Sequence, residues 1–378
     1  MIARACRLIV LVVLTLAMLA SCSSGQTPAP TPTPSRAPID YPALEAAIED
    51  KISSGSVALD NVRAVLVSVD GETRIPHYRH GFTATDTTHI WSVTKSVVST
   101  LVGIAISEGI LGSLDQNLGE LLPEQRSSMS ASVAAVTLRE LMTMSGGFPA
   151  ADPPYETVKR IFTSRGDLVA YFLKEGQEVP AGTQFLYSNT SSHLVAAVLA
   201  STLRRSKGGH PRSVFEYARA RLFEPLEIDT DPAWVKPLSD TRVADFAEAG
   251  FGWGTDPNGI PVGAFGLRLT APDLVKLGEL YLNEGTWHGK QIFGADWVEQ
   301  VTTPSGLQPQ YGLMWWLYTS NGHQVYAAQG YEGQMIVVVP DQQSVTAIES
   351  ANSPEFAMND DALLPLLNEV IIPRLDGS

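Results

Sequence analysis

Strand patterns occupy the two ends of the chain, and helical patterns occupy its middle. Residues 62–69 alternate between apolar and polar side chains, and Asp70-Gly71 is a hairpin signal that leads to a second strand running toward Tyr78. Strand patterns return only after residue 310. They cover residues 313–318, 324–328, 334–339 and 344–349, with Pro340-Asp341 as a turn between the last two.

Apolar positions three or four residues apart predict the helices. An amphipathic helix is expected over residues 41–53, and a strongly apolar one over residues 92–108, closed by Gly109. Thr270 is the predicted N-cap of another helix, over residues 271–284. The remaining predicted helices cover residues 137–144, 167–175, 190–205, 213–222 and 359–371.

This order of elements predicts an α/β protein of the α+β type. We expect one antiparallel sheet assembled from the two chain ends and flanked by helices, with an all-helical domain inserted. Residues 40–91 and 261–378 are predicted to form the sheet domain, and residues 92–260 the mainly helical domain. An active-site cleft is expected between these two units, because ligand sites favour domain interfaces.

The N-terminal region carries signals for transport. Arg4 and Arg7 precede an apolar run over residues 8–20 that ends in Ser21-Cys22, which is the pattern of an export signal peptide. A membrane-spanning helix needs about 20 apolar residues, so this run is too short. Its end, Leu-Ala-Ser-Cys, resembles the lipobox of bacterial lipoproteins, whose cysteine is lipidated and becomes the first residue. An ordinary signal peptide with a coincidental cysteine is the alternative.

We therefore expect residues 1–21 to be a lipoprotein signal peptide and Cys22 to carry lipid. Residues 22–39 are rich in Pro and Thr, a composition that favours an extended tether. The predicted location is the outer face of the bacterial cell membrane, to which the exported protein is held by its lipid anchor.

The composition narrows the function classes. The chain has 378 residues, with 26 Lys and Arg against 40 Asp and Glu, and its formal charge is −14. This acidity disfavours a nucleic-acid partner, because phosphate binding needs a cationic face. Cys6 and Cys22 are the only cysteines, which excludes a disulfide-rich scaffold. His77 and His80 are spaced as metal ligands but without carboxylate partners, so we interpret them as surface residues and expect no metal and no cofactor.

Two short motifs contain residues suited to acyl transfer. Ser92 and Lys95 open the apolar helix, and positions i and i+3 lie on one helical face. A serine at a helix N-terminus lies beside free backbone N–H groups, although Ser92 could also serve merely as the N-cap. Tyr187-Ser188-Asn189 falls on a predicted loop, where Tyr187 could point into a cleft and relay a proton. The other Tyr-x-Asn sequence lies inside the helix predicted over residues 271–284.

With Ser92, Lys95, Tyr187 and Asn189 together, the chain resembles the penicillin-recognising serine hydrolases. More narrowly, it resembles the class C beta-lactamase-related group, and within it the 6-aminohexanoate-dimer hydrolase-like branch. The resemblance covers about residues 41–370. Three further segments match in the family's order, namely residues 138–147 (LRELMTMSGG), 223–226 (FEPL) and 266–270 (GLRLT).

The resemblance implies a beta-lactamase/transpeptidase-like fold and hydrolysis through an acyl-serine intermediate on Ser92. Either Lys95 or Tyr187 is then the general base, and the sequence leaves this choice open. Asn189 is expected to hydrogen-bond Lys95 or the substrate amide. For Lys95 to act as a base near neutral pH, its pKa must fall by about three units.

The family's third motif is Lys-Thr-Gly or His-x-Gly on a strand beside the cleft, and its counterpart here is Ala328-Gln329-Gly330. Gly330 lets the strand approach a substrate closely. By resemblance, the backbone N–H groups of Tyr331 and Ser92 form the oxyanion hole. Ala328 replaces the cation that helps bind a substrate carboxylate, so efficient beta-lactam hydrolysis is not expected.

The leading hypothesis is a serine hydrolase, an esterase or amidase, that acts on a small ester or amide. A cell-wall D,D-carboxypeptidase or a weak beta-lactamase is one alternative. The incomplete third motif and the lipid tether favour another, a catalytically inactive binding protein tethered to the surface. Residues 311–318 (YGLMWWLY) are interpreted either as a substrate wall or as a strand packed under a helix. The sequence does not indicate the oligomeric state.

Overall fold

The structure is a computed structural model that describes residues 37–54, 59–151, 155–240, 243–351 and 363–377. The predicted signal peptide, Cys22 and most of the predicted tether lie outside the described residues, so these assignments stay predictions. In the part of the chain that is described, no helix is both long enough and apolar enough to cross a membrane.

The secondary structure follows the predicted order, with strands near both ends. The strands are β1 (Val62–Val69), β2 (Glu72–Tyr78), β3 (Thr87–His89), β4 (Ala233–Trp234), β5 (Phe251–Trp253), β6 (Leu267–Thr270), β7 (Thr286–Trp287), β8 (Lys290–Gln291), β9 (Trp316–Ser320), β10 (His323–Gly330), β11 (Gln334–Val339) and β12 (Ser344–Ser350). The helices are α1 (Tyr41–Ser53), α2 (Val93–Ser107), α3 (Leu118–Leu121), α4 (Ala131–Ala135), α5 (Leu138–Met142), α6 (Glu156–Thr163), α7 (Leu168–Glu175), α8 (Asn189–Arg205), α9 (Val214–Ala218), α10 (Val243–Ala247), α11 (Ala271–Leu282), α12 (Ala295–Thr302) and α13 (Ile372–Arg374).

The main sheet has six strands in the order β2-β1-β12-β11-β10-β9 and is antiparallel throughout. The N-terminal hairpin therefore pairs with strands from the C-terminal part of the chain, as the sequence predicts. The mixture of this sheet with helices on its faces confirms the predicted fold class. The division into a sheet domain and a helical domain stays a prediction.

Both faces of the main sheet are covered, because apolar side chains occupy both sets of alternating positions along its strands. On β1, Val65 and Val67 join a core formed with α1 and with the π-helical segment Leu366–Ile371. Ala64 and Leu66 face the opposite way, into a larger core that includes α2 and α11. The helix that carries the predicted nucleophile is thus packed directly against the sheet.

A second sheet, in the order β3-β6-β5-β4, is not apparent from the sequence. Its strands are two to four residues long, too short for a period of two to stand out. It bears on the site because β3 leads into α2. The N–H of Ile90 donates to the carbonyl of Leu267 at 3.0 Å, which extends the pairing of β3 with β6 almost to Ser92.

Several predicted boundaries need correction. The strand predicted at 313–318 begins only at Trp316, since the preceding residues form a loop. The helix predicted at 137–144 ends at Met142, and Met144 has a left-handed φ of 57°. The helix predicted at 213–222 ends as α9 and continues as the π-helical segment Arg219–Phe223.

The C-terminal helix is also irregular. Of the helix predicted at 359–371, residues 359–362 lie outside the described part of the chain. The remainder is mostly the π-helical segment Leu366–Ile371, which continues into α13. The helices predicted at 41–53, 167–175, 190–205 and 271–284 agree with the structure to within two residues.

Candidate active site

The predicted nucleophile lies where β3 passes into α2. Trp91, which joins them, has a left-handed backbone with φ 46°, unusual for a bulky residue. Ser92 occupies the N-cap position of α2, as the alternative interpretation expects, but its side chain makes no capping hydrogen bond. Its Oγ instead accepts a hydrogen bond of 2.8 Å from Lys95 Nζ. The i and i+3 spacing has therefore brought the two side chains into contact.

Helix α2 is fixed in the core. Residues 93–105 are all buried, including polar residues of its first two turns. The hydroxyl of Ser96 donates to the carbonyl of Met314 at 2.7 Å, and that of Ser99 donates to the carbonyl of Leu313 at 2.8 Å. These bonds tie the helix to the loop before β9, which explains why the predicted strand begins late.

Lys95 lies in a dry environment with three neutral acceptors. The residue is only 1% exposed. Besides Ser92 Oγ, its Nζ donates to Asn189 Oδ1 at 2.8 Å and to the carbonyl of Ala264 at 2.9 Å. In the described part of the chain no carboxylate pairs with it. Burial lowers the pKa of Lys95 to about 7, which is the reduction that a lysine base requires.

The geometry also determines where the lone pair of a neutral Lys95 points. The oxygens of Asn189 and Ala264 can only accept hydrogen bonds, so they hold two N–H groups of the amine. The third tetrahedral direction, 2.8 Å from Ser92 Oγ, is then left for the lone pair. A neutral lysine in this position can accept the serine proton.

Tyr187 lies beside this pair. Its ring centroid is 4.8 Å from Lys95 Nζ. The ring stacks on Trp316 with a centroid distance of 5.6 Å and meets the edge of Tyr311 at 6.0 Å. The predicted loop tyrosine therefore faces the lysine, and an aromatic wall stands behind it.

The segment with the sequence LRELMTMSGG supports Tyr187. The N–H of Leu186 donates to the carbonyl of Met144, and the N–H of Gly182 donates to the carbonyl of Ser145, both at 2.8 Å. From the other side, the N–H of Ala151 donates to the carbonyl of Tyr187 at 2.7 Å. This segment is thus a backbone scaffold for the tyrosine loop.

The end of β10 lies against the entrance to α2. A Cβ at Gly330 would lie 2.4 Å from the carbonyl oxygen of Ile90 and 3.2 Å from the backbone nitrogen of Ser92, so only glycine fits. Tyr331 follows, with 43% of its surface exposed. Among the described residues, the backbone N–H groups of Ser92 and Tyr331 donate to no protein acceptor. Both are free to bind an oxyanion.

Ala328, at the position of the family's cation, is buried and apolar. The aromatic run over residues 311–318 is partly core and partly wall, so each of the two interpretations offered for it describes some of its residues. Tyr311, Met314 and Trp315 are buried in the core, whereas Trp316 is only partly buried and forms the wall behind Tyr187.

Several residues that build the site are not apparent from the sequence. The acceptor at Ala264 is a backbone carbonyl, which no side-chain motif reveals. Its loop contacts His193, because the N–H of Gly263 donates to His193 Nδ1 at 3.5 Å. On its other side, His193 Nε2 lies 3.3 Å from Asp256 Oδ2, and both side chains are fully buried. His89 accepts a hydrogen bond from the N–H of Gly266 at 2.8 Å, and burial, helped by the nearby charge of Arg268, lowers its pKa to about 3. A neutral His89 can make this bond.

The two histidines considered as metal ligands do have carboxylate neighbours, contrary to the sequence interpretation. His77 Nε2 lies 2.9 Å from Glu49 Oε2, and His80 Nε2 lies 3.4 Å from Asp60 Oδ1. Arg79 also binds Glu49. Within the described ranges, no group of three or more His, Cys, Asp or Glu residues is arranged to hold a metal ion.

Comparison with known proteins supplies the family. A family model described as Beta-lactamase matches residues 61–368, well over half of the chain. The chain belongs to the beta-lactamase family.

Two relatives of known name share this family likeness. The chain is 28% identical over 241 residues to a beta-lactamase of Lysobacter lactamgenus, an alignment that covers 58% of this chain and 55% of that protein. It is 25% identical over 317 residues to the 6-aminohexanoate-dimer hydrolase of Paenarthrobacter ureafaciens, covering 75% of this chain and 70% of that one. The chain thus spans little more than half the length of the first relative.

A solved structure supports the fold. The D-stereospecific amidohydrolase from Streptomyces sp. superimposes with a TM-score of 0.61 at 17% identity, over 88% of this chain and 99% of that chain. The comparisons confirm the predicted beta-lactamase/transpeptidase-like fold and the predicted membership of the beta-lactamase-related family. The individual roles of Ser92, Lys95, Tyr187, Asn189, Gly330 and Tyr331 stay predictions.

Proposed function

We propose that this protein hydrolyses an ester or amide bond of a small substrate through an acyl-enzyme formed on Ser92. The observation that carries the proposal is the placement of Lys95. Its Nζ is buried, lies 2.8 Å from Ser92 Oγ and has a pKa lowered to about 7. Near neutral pH a large fraction of such lysines is neutral and can remove a hydroxyl proton.

The reaction begins when Ser92 Oγ attacks the substrate carbonyl and its proton passes to Lys95. The oxyanion binds the backbone N–H groups of Ser92 and Tyr331. Tyr187 gives a proton to the leaving alcohol or amine and recovers one from the Lys95 ammonium, so the scissile bond breaks and acyl-Ser92 remains. Water then attacks the acyl carbon while the base takes its proton. The bond from the acyl carbon to Ser92 Oγ breaks, the base returns the proton to Oγ, and the acid is released.

Tyr187 is the other candidate for the base. A Tyr187 phenolate would be stabilised by the Lys95 ammonium, whose Nζ lies 4.8 Å from the ring centroid. It would take the serine proton directly and lead to the same acyl-enzyme.

A small ester or amide suits the site better than a beta-lactam. Buried, apolar Ala328 cannot pair with a substrate carboxylate. Two proteins similar to this chain are named 6-aminohexanoate-dimer hydrolase and D-stereospecific amidohydrolase, which favours an amide as substrate. The wall of Trp316 beside Tyr187 would contact the apolar part of such a molecule.

The test compares the chain with its Ser92→Ala variant on a p-nitrophenyl ester and on a p-nitroanilide, and maps the site of a fluorophosphonate adduct by peptide mass spectrometry. We expect turnover and an adduct on Ser92 in the original chain and neither in the variant. Equal turnover by both proteins would reject the mechanism. Absence of any adduct or turnover would favour an inactive binding protein. Nitrocefin turnover that matches ester turnover would reject the assigned substrate class.

We also propose that Cys22 carries the lipid that holds the protein to the outer face of the cell membrane. The apolar run over residues 8–20 and the Leu-Ala-Ser-Cys sequence support this assignment. Cys22→Ser should abolish labelling by a radioactive fatty acid and release the protein from the membrane fraction. Cys6→Ser is the matched control and should leave both unchanged. Persistent lipid labelling of the Cys22 variant would reject the proposal.

A further inference from the structure

Two side chains meet beside the proposed oxyanion site. Trp91 Nε1 donates a hydrogen bond of 2.9 Å to Glu332 Oε2. Trp91 immediately precedes Ser92, and Glu332 immediately follows Tyr331. The hydrogen bond therefore links the two backbone segments whose N–H groups are proposed to bind the oxyanion.

Both residues hold unfavourable backbone conformations. Trp91 has φ 46° and Glu332 has φ 66°, in the left-handed region where a side chain is disfavoured and glycine is common. Glu332 lies in the tight turn between β10 and β11, next to Gly333. Backbone strain of this kind persists only where the surroundings impose it, and it concentrates at functional sites.

The carboxyl group of Glu332 is also in an unfavourable environment. Although it lies in a turn, the residue is only 7% exposed. Burial raises the pKa of Glu332, and the hydrogen bond from Trp91 opposes this rise. A buried carboxyl group needs a hydrogen-bond partner, and the indole of Trp91 supplies it.

The indole is packed on several sides, so the link is stiff. The His89 ring lies 4.1 Å from it, and the Tyr331 ring meets it edge-on at 5.4 Å. Gly330 allows the same two segments to approach closely at the backbone, since a Cβ there would lie 3.2 Å from the nitrogen of Ser92. A displacement of Glu332 would thus shift one oxyanion donor relative to the other.

We propose that Glu332 is a positioning residue that, through Trp91, sets the separation of the two oxyanion donors. This inference rests on the proposed function. Such donors act only when they lie about 2.7–3.1 Å from the developing oxyanion, so a small shift lowers kcat while leaving substrate binding nearly intact. A glutamine oxygen can accept the same indole hydrogen bond, whereas alanine cannot.

The experiment measures kcat and KM on a p-nitrophenyl ester, and the rate of fluorophosphonate reaction at Ser92. It uses the full chain and its Glu332→Ala, Glu332→Gln, Trp91→Phe and doubly substituted Trp91→Phe/Glu332→Ala variants. Glu284→Ala is the matched control, since Glu284 also has a left-handed backbone (φ 51°), precedes a glycine and is exposed. Thermal unfolding confirms that each variant is folded.

We expect Glu332→Ala to lower kcat and the fluorophosphonate rate about tenfold, with KM changed less than about twofold. Glu332→Gln should retain activity within about twofold, and Glu284→Ala should match the original chain. The kcat of the double variant should fall no further than that of the more impaired single variant, because both substitutions remove the same interaction.

Wild-type rates for Glu332→Ala, or equal damage from alanine and glutamine, would overturn the inference. Additive losses in the double variant would also overturn it. If Trp91→Phe fails to fold, the comparison of Glu332→Ala with Glu332→Gln still tests whether the hydrogen bond to Trp91 is needed for catalysis. If the original chain itself forms no adduct on Ser92, the proposed function fails. If it does and Glu332→Ala reacts at the same rate, only the positioning role fails.

Discussion

Asn189 Oδ1 accepts a hydrogen bond of 2.8 Å from Lys95 Nζ, although the two residues are 94 positions apart in the chain. Asn189 opens α8 and Lys95 lies in the first turn of α2, so the contact joins the N-terminal ends of two buried helices. A neutral amide at this position satisfies the lysine without adding a negative charge. The lysine can therefore keep its lowered pKa.

Replacing this amide with a carboxylate should move the pH dependence of catalysis. Asn189→Asp places a negative charge beside Lys95, which favours the ammonium form and raises its pKa by about one unit or more. The rise of kcat/KM with pH, expected near pH 7 in the original chain, should shift upward by the same amount. Asn258→Asp, at an exposed position, is the control and should not shift the profile. An unchanged profile in Asn189→Asp would show that Lys95 is not the base.

Lys95 should also make stability depend on pH. Its pKa is about 7 in the folded chain and near 10.5 when unfolded, so between these values the unfolded state binds more protons and stability rises with pH. Below about pH 7 both states are protonated, and burial of the charge costs up to about 5 kcal/mol. Lys95→Met should therefore stabilise the chain most below pH 7, and this gain should shrink toward pH 10.5. Denaturant unfolding at several pH values measures it, and a gain that does not vary with pH would contradict the assignment.

Tyr187→Phe should affect poor leaving groups more than good ones. A p-nitrophenolate leaves without a proton, whereas an amine must be protonated. If Tyr187 relays that proton, anilide or alkyl-amide turnover should fall about 100-fold and aryl-ester turnover should fall less than about threefold. Equal loss on both substrates would instead identify Tyr187 as the base for serine attack. Retention of both activities would exclude either role.

Gly330→Ala should damage both stability and activity. The added methyl group would lie 2.4 Å from the carbonyl oxygen of Ile90, so the strand end must move away from Ser92. We expect a loss of about 1–3 kcal/mol in the free energy of unfolding together with a large fall in kcat. Gly166→Ala, where a methyl group meets no atom within 4 Å, should change neither quantity. Full activity in Gly330→Ala would show that Gly330 does not support the oxyanion site.

The sequence predicts the strands of the main sheet and the contact between Ser92 and Lys95, because both depend on short-range patterns. The strand pattern of β1 and the continuous apolar run of β11 are visible in the sequence, and the spacing of Ser92 and Lys95 follows from helical geometry alone. Tyr187 and Asn189 follow from a second short motif on a predicted loop, and the family resemblance added Gly330, but local patterns do not connect these residues. The structure brings all of them to one place.

What the sequence cannot predict are the contacts made by backbone groups and across long separations. The carbonyl of Ala264 carries no side-chain signal, and the short strands of the second sheet have no clear period. Glu332 looks like an ordinary surface residue of a turn until its burial and its contact with Trp91 are seen. These features depend on where distant segments meet.

The hydroxyl bonds from Ser96 and Ser99 to the loop before β9 bear on how the cleft adapts to different substrates. They join the nucleophile helix and the Trp316 wall into one stiff side, which cannot widen without breaking buried bonds. We therefore expect a bulkier acyl or leaving group to be accommodated by exposed side chains outside this assembly, such as the ring of Tyr331, while the backbone of Tyr331 stays in place. Changes of substrate range should therefore come from substitutions of exposed side chains and not from movement of the nucleophile helix.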